Sequence, residues 1–485
     1  MSDVSEETPT EVRPAARGLL HSAGWMVGSH LLAQTFAYGS LILLARWLAP
    51  ASFGTMAVGT AIVYVAVLFV DQGALGGIIV RARLTRADLI ATFRRCLLVA
   101  TVLAVIMAAT AGVLVDRFAS GGDAAAVAAL ALCLPLHAVA VVPIALLQKS
   151  MKFRRLAGVN AAANVVSAVA AVAMAVAGFG VWALVTRLLL AFGLLALLTP
   201  VLCLDAWREH RAQPAQVAPS QAAPNSQRWF FLFGVALMIT ANLDYLVIGN
   251  SSDAAWVGLY ALAFTIAMAP STHISEQLGK VLFAASALAP ETNRARTEQS
   301  VRLMSTLFLP LVPVGVLLAP LVLPAVLGEQ WRPMIVPFQL LLIVGVGHAV
   351  VNCIGETLSG NGHIEFRAKV MVARCVATLA ALAVLVSIDG IRGAAWAQLL
   401  VFVPYAVLYA TAGARRAGTS AGALWRGLRP VVVLLVVQLV VTGLAIVALS
   451  SCGATDSVAA SVAAMIGLAT CAPLLVRRVL RERRA

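Results

Sequence analysis

The stretch "APASFGTMAV" (Ala49 to Val58) lies over "DAAWVGLYAL" (Asp253 to Leu262) at an offset of 204, and the likeness recurs downstream. "KFRR" from Lys152 lies over "EFRAK" from Glu365 at 213, and "GFGVWAL" from Gly178 lies over "RGAAWAQ" from Arg392 at 214, which puts Trp182 on Trp396. The match is weak but ordered. Its offset drifts one way, as loop-length changes in a duplicated unit would make it.

The composition says what kind of unit is repeated. The 485 residues are 61% hydrophobic and only 12% charged, with a mean hydropathy of +0.93, whereas soluble domains carry roughly 25% charge. The apolar mass is Ala, Val and Leu in long runs, which excludes the two-residue alternation of a membrane β-barrel. The chain therefore reads as an all-α polytopic membrane protein. Apolar windows of about 20 residues fall near 22–44, 54–80, 96–118, 125–147, 158–178, 180–203, 229–249, 257–287, 303–327, 334–358, 367–388, 393–412, 430–449 and 457–476. That makes fourteen predicted spans. The first seventeen residues, "MSDVSEETPTEVRPAAR", hold no apolar core or small-residue cleavage site and do not read as a cleaved signal.

With both termini placed in the cytoplasm, 29 of the 35 Lys and Arg fall on inner segments and four (Arg46, Arg117, Arg332, Arg392) on outer ones. Arg187 and Lys280 lie within spans. Positively charged loops resist translocation, so the bias sets the orientation and an even number of crossings. The net charge of +14 then belongs to an inner face that meets anionic headgroups. Nucleic acid is not an expected partner, since no soluble domain carries a basic patch with interleaved aromatics.

The repeat groups the spans. The expected organisation is a cytoplasmic N-terminal segment (1–21), a six-helix bundle (22–203), a Pro-, Ala-, Gln- and Ser-rich cytoplasmic linker (204–228), a second six-helix bundle (229–412), two additional helices with their loops (413–476) and a basic cytoplasmic tail (477–485). Units of six spans share one orientation, so the bundles should pack around an axis along the membrane normal, with a central cavity between them. The seven cysteines are scattered without CxxC spacing and read as small hydrophobes in helix packing.

An isolated charge at the bilayer centre costs at least about 2.5 to 3.5 kcal/mol, so span charges should face protein or water and find partners. Six charged residues sit within the predicted spans: Asp71, Arg187, Asp244, Glu276, Lys280 and Glu356. Asp71 lies ten residues before Arg81, about 15 Å into the membrane, and its repeat mate Ser275 adjoins Glu276. Asp71 reads equally as an ion-coupling group or as a helix-packing hydrogen bond. His273, Glu276, Gln277 and Lys280 share one face at i, i+3, i+4, i+7. Glu276 there either pairs with Lys280 four residues on or, with His273, joins ion coupling. Arg187 has no carboxylate within a turn. Its planar fork suits a diphosphate, although an interhelical pair with Asp71 or Asp244 explains it equally well. Arg187 and Lys280 are the leading candidates for an anionic substrate head. Asp244 is a further ion-coupling candidate, though it and Glu356 lie near span ends and read as snorkelling groups. Asn160, Asn164 and Ser167 form a stripe on the fifth span that reads first as helix contact; the two asparagines are also substrate-binding candidates. His30, His137 and His348 read as packing histidines.

Two stretches carry a family resemblance. "SAGWMVGSHLLAQ" followed by "LLARWLAPASFGTMAVGTAIVYVAVLFVDQGALGGIIVR" resembles the opening helices of the polysaccharide transporter family, the oligosaccharide flippases of the multidrug, oligosaccharidyl-lipid and polysaccharide exporter superfamily. "DYLVIGN", "VGLYALAFTIAMAP" and "VLGEQWRPMIVPFQLLLIVGVGHAVVNCIGETLSGNG", with its Gly-x-x-Trp-x-Pro run, are similar to the second half. The resemblance implies an alternating-access carrier of the cytoplasmic membrane. It would move a polyprenyl-diphosphate-linked oligosaccharide to the outer leaflet for capsule, O-antigen or exopolysaccharide assembly. Its implied partners are membrane lipids, H+ or Na+ as coupling ion and the polysaccharide polymerase machinery. A drug antiporter or a lipid II flippase of the same superfamily is the alternative.

No G-x-x-x-x-G-K-[ST] loop, Asp-x-Asp, His-Glu-x-x-His or nucleophile triad is present, and the outer loops are about ten residues or shorter. The chain reads as no enzyme, and no cofactor is expected.

Overall fold

The structure, a computed structural model, describes residues 34, 36–71, 78, 85–150, 152–212, 224–269, 275–288 and 292–451. The fold is all-α. The helices are α1 (Phe36–Trp47), α2 (Pro50–Val70), α3 (Arg86–Phe118), α4 (Ala124–Lys149, with a turn at 131–132), α5 (Phe153–Val176), α6 (Val181–Ala212) and α7 (Pro224–Ser251). They continue with α8 (Ala254–Ala267), α9 (Glu276–Leu288), α10 (Asn293–Phe308), α11 (Leu311–Leu327), a 3-10 turn (Glu329–Met334), α12 (Ile335–Gly360), α13 (Ile364–Leu408) and α14 (Ala421–Ser451).

Local chemistry sets many of these boundaries. Pro50 opens α2 at a position that needs no N–H. Thr85 and Asp88 form a reciprocal capping box on α3, and Asp123 and Asp253 cap α4 and α8 through their carboxylates. Among the described residues, ten segments are long and apolar enough to cross a membrane. One of them, Ile364–Arg416, holds two predicted spans: Asp389 and Gly390 leave helical geometry there, with Gly390 at φ 50°. The first thirteen predicted windows each overlap a helix, while 457–476, the tail 477–485 and the segment 1–21 lie outside the described residues. The expected linker is helical at both ends, since α6 runs to Ala212 and α7 starts at Pro224; residues 213–223 lie outside the described set.

Two helical bundles, α1–α6 and α7–α13, meet across α2 and α8. Gly54 and Gly258 coincide under the offset of 204, and each meets the other bundle's backbone. A Cβ on Gly54 would fall 1.7 Å from the carbonyl oxygen of Ala254, and one on Gly258 would fall 1.9 Å from that of Pro50. Pro50 is the repeat mate of Ala254, so this is one contact made twice about the pseudo-twofold axis. Only a residue without Cβ permits such an approach.

The seam is reinforced at the same end. Gly249 lies against the Phe118 carbonyl, and the Ala254 amide donates to Ser120 O at 3.0 Å. Trp331, in the Gly-x-x-Trp-x-Pro run, is fully buried; its Nε1–H donates to Ala45 O at 2.8 Å and its ring meets Phe53 edge-on at 5.2 Å. Gln330 Nε2 donates to the carbonyls of Ala45 and Leu48, each at 3.3 Å. These contacts all lie at the end that carries the turns 48–49, 119–123, 252–253 and 328–334.

Helix α14 packs outside the repeat, against α10 and α11. Pro310 interrupts the helix between these two, and Gln438 of α14 donates to its carbonyl at 3.2 Å. A backbone acceptor exposed by a helix break at membrane depth needs such a partner.

The seam makes a direct test. Trp331→Ala should cost about 3–5 kcal/mol in thermal unfolding of the detergent-solubilised protein. Trp256→Ala, on the exposed side of α8, should stay within about 1 kcal/mol.

Candidate functional site

Beside the glycine crossing, a cavity of ≈ 380 Å³ lies between the bundles. Its wall draws on both: Thr60, Tyr64, Asn164, Ser167 and Arg187 from the first, Asn242, Tyr245 and Thr265 from the second. From Phe53 to Tyr64 the α2 wall descends eleven residues, about 16 Å at helical rise. Among the described residues, the one charged side chain lining it is Arg187, whose Nη2 donates to Ala37 O at 3.0 Å. Among the described residues no ion pair joins Arg187 to a carboxylate. The expected alternatives, Asp71 and Asp244, are engaged elsewhere. Asn164 returns its amide N–H to Asn160 O at 2.8 Å, while Asn160 is exposed one turn away and donates to Leu156 O at 2.9 Å. The cavity wall takes Asn164 and Ser167, and Asn160 is not part of it.

Asp71 caps the end of α2, and its Oδ1 lies 2.9 Å from Nε2 of His137 on α4. His137 also meets the Phe192 ring edge-on. Sequence reading took His137 for a packing histidine because nothing in the linear chain shows that α2 and α4 bring these residues together.

Asp244 does not snorkel. It is 1% exposed, and its carboxylate accepts from Tyr260 Oη and from Gln398 Nε2 at 2.9 and 2.8 Å. Helices α7, α8 and α13 each supply one member of this network. The terminus of a span is a poor guide to exposure where neighbouring helices cover it. Tyr245, next in sequence, faces the central cavity.

Glu356 is also paired. Helices α12 and α13 are joined by a three-residue turn, which sets the last turns of one beside the first of the other. Arg367 Nη2 donates to Glu356 Oε1 at 2.8 Å and to Asn352 Oδ1 at 3.2 Å, Nη1 donates to Ser359 Oγ at 2.7 Å, and the guanidinium lies over Phe233 at 4.3 Å. These bonds use three of the five donors of the planar fork. Glu276, His348, Asn352, Glu356, Arg367 and Tyr405 line a second cavity, also ≈ 380 Å³, within the second bundle. Two turns further, Arg374 lies over Tyr405 at 4.7 Å, and its Nε is buried without a hydrogen-bond partner.

Of the sequence-predicted residues, Arg187 and Asn164 share the central cavity, Glu276 lines the second, and Asp71 and Asp244 each sit in a hydrogen-bonded network outside both. His273 and the Lys280 side chain lie outside the described residues. Arg367 and Arg374 were missed. Both stand at the start of the eleventh span and were counted with the inner loop, although each is only 7% exposed. Their regular spacing of seven on one helix face was the available signal.

Two bundles of apolar helices, related by an internal repeat and enclosing a polar cavity, define a multi-pass membrane protein. A family model described as "Polysaccharide biosynthesis protein" matches residues 43–336, and the chain belongs to that family. Lipopolysaccharide biosynthesis protein WzxC of Escherichia coli (strain K12) is 25% identical over 201 residues, and this match spans 39% of each chain. The fold is similar to that of the lipid II flippase MurJ in an inward closed conformation, with a TM-score of 0.69 at 8% identity over 95% of this chain and 99% of that one. It is also similar to an inward-facing multidrug resistance MATE family transporter, with a TM-score of 0.60 at 14% identity over 82% and 99%.

The Glu356–Arg367 pair should behave as a coupled unit. Arg367→Met alone leaves a carboxylate in a half-buried site and should cost about 3 kcal/mol. The double variant with Glu356→Gln should recover most of that loss, read as a coupling energy in a thermal double-mutant cycle.

Proposed function

We propose that the chain moves a polyprenyl-diphosphate-linked oligosaccharide from the cytoplasmic to the outer leaflet of the cytoplasmic membrane, for assembly of capsule, O-antigen or exopolysaccharide. The observation that carries this reading is the Arg187 guanidinium in a polar cavity between two bundles that are joined at one end. A lone cation held at membrane depth by a backbone carbonyl keeps its own charge, and it matches a phosphate anion that must cross apolar lipid. The hydroxyl and amide groups of Thr60, Tyr64, Asn164, Ser167 and Asn242 around it suit a sugar.

Alternating access fits the same geometry. The charge bias of the loops assigns the seam to the outer face and both termini to the cytoplasm, so the cavity would load from the inner leaflet. Opening the far side requires α2 and α8 to part at the Gly54–Gly258 crossing, where contact is by backbone and by the Trp331 anchor. The Asp71–His137 pair, with Asp244, Glu276 and His273, would couple this motion to H+ or Na+. Lys280 would act as a second contact for the diphosphate, and Asn164 as a contact for the saccharide. The polymerase machinery would receive the product, and no chemistry on the glycan is required of this chain.

A cation-exporting drug antiporter is the competing reading, since a MATE transporter shares the fold. The positive lining of the central cavity disfavours cationic drugs.

Arg187→Ala should abolish polymer export while the protein remains in the membrane, with lipid-linked repeat units trapped on the inner leaflet; Arg187→Lys should retain part of the export. Normal export by Arg187→Ala would remove the assigned role. Unchanged lipid pools with new dye sensitivity on deletion of the chain would favour the antiporter.

A further inference from the structure

At the end of the molecule opposite the seam, α10 and α14 enclose a pocket of ≈ 380 Å³ lined by Arg294, Glu298, Arg302, Ala423, Arg426, Gly427 and Pro430. Three guanidinium groups from two helices thus face one carboxylate. That carboxylate is already engaged: Glu298 Oε1 accepts from Arg294 Nε at 3.1 Å and from Thr419 Oγ1 at 2.6 Å. Arg302 Nε is buried without a hydrogen-bond partner. Arg426 Nε reaches only the carbonyl of Gly422 on its own helix, at 3.4 Å.

The pocket therefore holds an excess of positive charge together with an unmade N–H bond, and a buried donor left unpaired is costly. The start of α14 adds to the potential, because Ser420 caps only one of the free backbone amides of its first turn. The chemistry that satisfies such a site is a tetrahedral oxyanion able to accept several charge-assisted bonds.

What lies beside the pocket selects the source of that anion. Trp425 is exposed at its edge, and Val433, Val436, Val437, Val440 and Leu444 continue along α14 as an exposed apolar strip. A headgroup phosphate seated among the arginines would lay its acyl chains on this strip. We infer that this pocket binds the phosphate of an anionic membrane lipid, making the α10–α14 junction a lipid site separate from the central cavity. Basic pockets between spans on the cytoplasmic side recognise such headgroups. The inference does not depend on which substrate the central cavity carries.

The test is thermal unfolding of the purified full chain in a neutral detergent, with dioleoyl phosphatidylglycerol, dioleoyl phosphatidylcholine at equal mole fraction, or inorganic phosphate. Phosphatidylglycerol should raise the midpoint by about 2 °C or more over phosphatidylcholine. Arg302→Gln and Arg426→Gln should each lose most of that shift, and Arg415→Gln, exposed outside the pocket, should keep it. Arg426→Gln, at the end of a long exposed side chain, guards against a folding defect in Arg302→Gln. Equal responses to the two lipids, or wild-type responses from both pocket variants, overturn the proposal. The same shift from inorganic phosphate at matched concentration overturns the lipid source.

Discussion

Two glycines, Gly54 and Gly258, set the distance between the halves of this protein. Each removes the one atom that would hold α2 and α8 apart, and each meets the backbone of the other bundle. In a bilayer the hydrophobic effect does not drive helices together, because lipid tails are as apolar as leucine. Association rests on close packing and on hydrogen bonds, and a glycine crossing supplies the first. Trp331 and Gln330, donating to carbonyls at the end of α1, supply the second. The cavity beside this crossing follows, since bundles brought together at one end and lined with polar side chains further along leave a wet space between them.

The span charges divide according to that architecture. Asp71, Asp244 and Glu356 each found a partner within one bundle: a histidine, a tyrosine with a glutamine, and an arginine. Arg187 faces the space between bundles and is held by a carbonyl rather than by a carboxylate. A charge hydrogen-bonded by side chains inside one bundle ties that bundle together. A charge that faces the space between bundles stays open to a ligand. The distinction separates supporting residues from a candidate substrate contact without reference to any relative.

Much of the fold was legible along the chain. Each of the first thirteen apolar windows overlaps a described helix, and residue spacing alone pairs the two halves. The site was legible only in part. Arg187 and Asn164 stood out because a cation and an amide are rare in apolar helices. Asp244 was misread as a snorkelling residue because its position near a span end does not show that α8 and α13 cover it. Arg367 and Arg374 were passed over for a related reason: a boundary drawn from hydropathy treats the first turns of a span as loop, whereas a neighbouring helix encloses them.

The amino-acid order alone thus determined a membrane-embedded helical protein, its internal duplication and the rarity of its buried charges. These are properties of composition and period, which act locally and need no neighbours. Only the tertiary structure decided which charges are hydrogen-bonded within a bundle and which line the cavity between bundles, because a partner's identity depends on distances between helices tens or hundreds of residues apart. His137 with Asp71, Gln398 with Asp244 and Ala37 with Arg187 are pairs across 66, 154 and 150 positions, and no local pattern encodes such separations.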